Sequence, residues 1–170
     1  SIIAAEGLHA VTLRRVAREL GLSEAQAHNY FRRRTDLLVA VARRELDAMD
    51  AARQSEVERG HDNQTRVTLS TIAYLRQVAQ RGVLIQVLLN SAEVRAALRA
   101  EREAQRAAAT DRMTERLTQR YGVEDDRARA ATIILTSVCL RAGRLIAEGK
   151  APLPMAERLS LAIVTAGNRA

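Results

Sequence analysis

Between Thr12 and Leu38 the chain reads TLRRVARELGLSEAQAHNYFRRRTDLL, and its polar residues are of the kinds that can meet phosphates and base edges. Thr12 stands ahead of a run in which Leu13, Val16, Ala17 and Leu20 recur at helical spacing. There a hydroxyl and free backbone N–H groups can donate to a phosphate, and the same hydroxyl can act as an ordinary helix cap. Gly21 ends that helix, because glycine takes a positive φ at no steric cost. Ser23 and Gln26 have the S-x-x-Q spacing of a capping box and open a second short helix. Ser23, Glu24, Gln26, Ala27 and His28 are expected to face outward from it, with Leu22, Ala25 and Phe31 facing inward. Gln26 can donate to and accept from an adenine edge, and Glu24 can accept from cytosine N4, each pair discriminating by about 1–3 kcal/mol. For Glu24 the alternative is to complement the helix N-terminus, since a carboxylate near phosphates is repelled. Arg14, beside Thr12, can reach a base or a phosphate or remain solvated. Two short helices across a glycine turn make a helix-turn-helix, whose second helix fits a DNA major groove.

The spacing of Gly7, Thr12, Val16-Ala17, Gly21-Leu22-Ser23, His28, Tyr30-Phe31, Arg34 and Leu37-Leu38 resembles, without insertion, the N-terminal pattern of the tetracycline-repressor (TetR) family of bacterial transcription regulators. Three positions depart from it. His28 stands where the family usually has tyrosine, Tyr30 where it usually has histidine, and Ala25 where glycine is frequent. The resemblance implies that His28 and Tyr30 touch the DNA backbone. It also implies that Arg34, in place of a phosphate-binding lysine, keeps the charge and adds a fork geometry. Arg32 and Arg33 are either peripheral phosphate contacts or solvated charge.

For the whole chain the resemblance implies an all-α fold. A helix-turn-helix DNA-binding domain would occupy residues 1–45, and a helical ligand-binding and dimerisation bundle residues 46–170. The function implied is that of a one-component regulator, an effector-released repressor binding a near-palindromic double-stranded DNA operator as a homodimer. The helices at about 125–148 and 155–166 would pair with their twins, the alternative being that they merely close a monomer's core. Residues 1–7 resemble the tail of the family's first helix, so further residues are expected ahead of Ser1, the alternative being an unusually short first helix.

Composition sets the frame in which these residues must be held. The 170 residues are 47% apolar and 28% charged, with 2% aromatics and two prolines, a mixture that favours packed helices and leaves little to build strands. The net charge of +7 suits a polyanionic partner. Much of the surplus lies early: arginines 14, 15, 18, 32, 33, 34, 43 and 44 face only Glu6, Glu19, Glu24 and Asp36 up to residue 44. The single cysteine, Cys139, excludes a disulfide within these residues and any cysteine zinc cluster, and reads as a small buried hydrophobe or a redox sensor. The apolar run around it is cut by Arg141 and Arg144, short of the ~20 residues of a membrane span, and a cytoplasmic protein is expected.

Helical periodicity continues to the end of the chain. Thr35 is expected to cap a long helix with Asp36 in its first turn, and residues 60–63 form a loop. Helices follow at about 66–80, 83–90 (after a break at Gly82), 93–120, 125–148 and 155–166, making around nine in all. The resemblance implies a small effector in the second domain. Candidate lining residues are those where polarity interrupts apolar faces: Tyr74, Asn90, Met113, Thr136 and Ser137. No glycine-rich phosphate loop, nucleophile motif or metal-ligand spacing among His9, His28 and His61 is present, so neither catalysis nor a cofactor is expected. The rival from another class is a helical ligand-binding or adaptor protein without sequence-specific DNA binding.

Overall fold

The computed structural model describes residues 2–167; Ser1 and the last three residues, at the ends of the two expected domains, lie outside them. Among the described residues there are eight α-helices and no strand. The helices are α1 (Ile2–Glu6), α2 (Leu13–Leu20), α3 (Glu24–Tyr30), α4 (Arg34–Glu58), α5 (Asn63–Asn90), α6 (Ala92–Tyr121), α7 (Asp125–Ala147) and α8 (Leu153–Gly167). A 3-10 turn at Leu8–Ala10 joins α1 to α2.

The chain divides into two compact units, the first made of residues up to Asp47 together with Leu84–Arg99. Its core gathers Val11, Leu13, Leu37, Leu38 and Ala42 with Leu88, Val94 and Leu98. The last three lie on the end of α5 and the start of α6, so the helix-turn-helix is braced by residues some 50 positions or more along the chain. Each fully buried leucine there contributes about 1.5–3 kcal/mol of transfer free energy. The second unit holds Ala48–Val83 and the residues from Ala100 onward, with α7 and α8 in close contact.

Three expectations require correction. Gly82 does not break a helix: α5 runs unbroken from Asn63 to Asn90. A Cβ on Gly82 would stand 2.8 Å from Val78 Cγ1 and 3.1 Å from Ala147 Cβ, so this glycine serves close packing of α5 on α7 instead of ending a helix. Thr35 is not the cap of α4, which already begins at Arg34. Asp36 accepts the Arg33 backbone N–H at 3.0 Å, and the Thr35 hydroxyl donates to Glu93 at 2.5 Å. Finally, α7, with 23 residues, is long and apolar enough by length and composition to cross a membrane despite Arg141 and Arg144. One face of it is buried through Ala128, Thr132 and Gly143, while Ile133, Ile134 and Leu140 are exposed.

Candidate nucleic-acid interface

Thr12 caps α2: its backbone is extended, and its Oγ1 accepts the Arg15 backbone N–H at 3.1 Å. The hydroxyl hydrogen is left free to donate outward. Gly21 ends the helix in the left-handed region, at φ 67°, and the Leu22 N–H closes back on Ala17 O at 2.9 Å. Two residues later the capping box is complete. The Gln26 backbone N–H donates to Ser23 Oγ at 3.1 Å, and the Ser23 N–H donates to Gln26 Oε1 at 2.9 Å. These local bonds and the packing of α2 on α3 fix the short helix in place.

On α3, Ser23, Glu24, Gln26, His28 and Tyr30 are exposed, and Tyr30 is 77% so. Ala27 is not on that face. It is 7% exposed, because it is the residue that α3 turns against α2, whereas Leu22 and Ala25, expected inside, are exposed. Phe31 packs against the core as its apolar side chain requires.

Most of the arginine charge is compensated. Arg14 pairs with Glu24 across the turn at 3.0 Å, and Arg15 with Glu6 and Glu19, both at 2.8 Å. Arg33 pairs with Asp36 at 2.9 Å and holds its carboxyl below the usual carboxylate range, chiefly through the side-chain hydrogen bond. Arg34 is half-buried: its Nε donates to Val11 O at 2.7 Å and its Nη2 to Leu8 O at 2.6 Å. Arg18 and Arg32, both exposed, form no ion pair among the described residues. Sequence reasoning did not single out Arg18, although its place one turn beyond Arg14 was the available signal. With Glu6, Ala10, Thr12, Arg14 and Arg15 it lines an open cleft at the head of α2.

The five candidate effector residues fall in both units. Asn90 is exposed and lies in the first unit, whereas Tyr74, Met113, Thr136 and Ser137 lie in the second. Ser137 is exposed and donates to Ile133 O at 2.7 Å on its own helix. Tyr74 lies against Gly143, and burial pushes its phenol up to about 12. Arg102, missed in the sequence because α6 is arginine-rich throughout, is shifted down by burial and by Arg106. Burial likewise pushes the Cys139 thiol up, 3.9 Å from Thr71 Oγ1. Among the described residues no three His, Cys, Asp or Glu side chains gather where a metal ion could sit.

Residues 1–41 match the family model described as bacterial regulatory proteins, tetR family. The chain carries the N-terminal helix-turn-helix domain of the TetR family. No curated protein matches the chain. Over its whole length the fold is similar to the crystal structure of the TetR family transcriptional regulator PfmR from Thermus thermophilus. The two share 18% identity over 99% of this chain and 93% of that one, with a TM-score of 0.63. At that identity the likeness speaks for the fold, which joins a TetR N-terminal domain to a helical C-terminal part.

Proposed function

We propose that this TetR-type chain is a cytoplasmic, non-enzymatic, one-component transcription regulator. In this reading a dimer represses by binding a near-palindromic operator, and a small effector bound among the C-terminal helices releases it. Residues 1–45 serve as the DNA-binding domain and 46–170 as the effector and dimerisation domain. The observation that carries the reading is a capped, seven-residue α3 that exposes Gln26, His28 and Tyr30, with the free hydroxyl of Thr12 on the neighbouring helix. Such a helix fits a major groove while phosphate donors flank it. A two-fold dimer would set its half-sites about one helical turn apart.

Homodimerisation through α7 and α8 is supported by their exposed apolar side chains Ile133, Ile134, Leu140, Met155, Leu159 and Ile163. Effector binding shifts the DNA-binding equilibrium only through a difference in affinity between the two states. Selection of sites from random duplex DNA by the purified protein tests the proposal. An enriched inverted repeat bound in the nanomolar range is expected. Micromolar binding that vanishes with salt and selects no sequence would sink it and leave the adaptor reading.

A further inference from the structure

Arg34 occupies a position from which the sequence pattern implies a direct phosphate contact, yet its guanidinium points at the protein's own backbone. Its Nε and Nη2 donate to Val11 O and Leu8 O at 2.7 and 2.6 Å, bridging the two ends of the 3-10 turn that leads into α2. From the geometry we infer that Arg34 is a positioning residue: it sets the Val11–Thr12 peptide plane so that Thr12 presents its N–H and hydroxyl to a DNA phosphate. This inference rests on the DNA-binding reading above.

Three observations carry it. The Val11 carbonyl and the Thr12 N–H belong to one planar peptide, and the described chain has no cis bond. When Arg34 draws the carbonyl toward α4, the N–H is therefore aimed the opposite way. That N–H has no backbone acceptor among the described residues, while Val11 N–H bonds Leu8 O and Val16 N–H bonds Thr12 O. Moreover, a cation as first residue of α4 opposes the helix dipole, and the two carbonyls offset that cost. Lysine has donors enough but no planar fork, so its single ammonium on a flexible stem holds the two carbonyls less firmly than Nε and Nη2 do.

The test measures affinity against salt for a duplex carrying the selected site, using the native protein, Arg34→Lys, Arg34→Ala, Thr12→Ala and the Arg34→Lys/Thr12→Ala double variant. Thermal melts give the folded fraction of each. Both Arg34 variants are expected to bind roughly tenfold more weakly per folded molecule, the size of a charge-assisted hydrogen bond. Their salt slopes should match the native slope. Thr12→Ala should cost affinity in the native background and far less beside Arg34→Lys, because the two residues act as one unit.

A direct phosphate contact predicts otherwise: Arg34→Lys would bind like native, and Arg34→Ala would lose about 0.9 from the slope. That result overturns the inference, as does a loss confined to melting temperature with native affinity in the folded fraction. A native protein that binds no duplex removes the DNA-binding reading itself, and the inference with it.

Discussion

Gln26 holds the start of α3 and, in the proposed reading, would also meet a base; the two duties can be separated. Its carbonyl oxygen accepts the Ser23 N–H, leaving a second lone pair and the whole NH2 group for an adenine edge. Gln26→Glu keeps the acceptor and suits the helix N-terminus, so its melting temperature should stay at or above native while DNA affinity falls at least about tenfold. Gln26→Ala should also lose about 1 kcal/mol of stability in denaturant melts. Equal losses of affinity and stability in Gln26→Glu would mean the residue is only a cap. Glu24 gives the converse case. Its pair with Arg14 is open to solvent, the side chains being 59% and 84% exposed, so Glu24→Gln should change stability by less than about 0.5 kcal/mol. Freed of a carboxylate beside phosphates, that variant should bind DNA more tightly in a gel-shift titration; weaker binding would mark Glu24 as a reader of cytosine. The capping box and Gly21 were legible in the sequence because their chemistry closes within five residues. Arg34's role was not, since its acceptors are backbone carbonyls 23 and 26 residues away, which no side-chain pattern records.

Helix order was legible too, but around nine helices were expected and eight are described, because Gly82 serves packing where a break was read. Gly82 and Gly143 both lie inside helices where a methyl would meet a neighbour. At Gly143 a Cβ would stand 2.7 Å from the Tyr74 hydroxyl and 2.9 Å from the ring edge. Gly143→Ala should therefore destabilise the protein by about 1–3 kcal/mol through overpacking. Adding Tyr74→Phe removes the closest atom and should recover part of that loss, a non-additivity readable in a double-mutant cycle. Strict additivity would show that α5 and α7 do not meet at this point. The end of α7 carries a pH signature. Glu148 is its C-cap, and Lys150 at 2.9 Å and Arg144 at 2.7 Å hold the carboxyl down to about 2. A carboxyl depressed in the folded state gives stability that is fully present above its ordinary value near 4.5 and is lost as pH falls toward 2. Glu148→Gln should flatten the dependence of melting temperature on pH in that window and leave it unchanged above about pH 6.

The apolar side chains that α7 and α8 leave in solvent ask for a partner of their own kind. Ile134 is 63% exposed, Ile133 51%, Leu159 50% and Met155 49%, on two helices already packed against each other. In sequence these helices read either as pairing with their twins or as closing a monomer's core. In one chain they are buried on one side, and the other is the surface a second copy would cover. Two such pairs would form a four-helix interface, and a stable one must bury on the order of 1,000 Å² or more. In the proposed reading, dimerisation would give the operator its symmetry, because each chain carries one α3 and two half-sites would have to be held at once. Ile134→Glu with Leu159→Glu tests this cleanly. Both residues lie in solvent in the single chain, so the charges should cost its folding little, and light scattering should report half the native mass. Affinity for the two-half-site operator should fall on the order of a hundredfold as simultaneous engagement is lost, while binding to an isolated half-site stays near native. A double variant that remains dimeric would place the interface elsewhere. One that becomes monomeric yet keeps full operator affinity would break the link between pairing and recognition, and with it the argument that α7 and α8 exist to set the spacing of the two recognition helices.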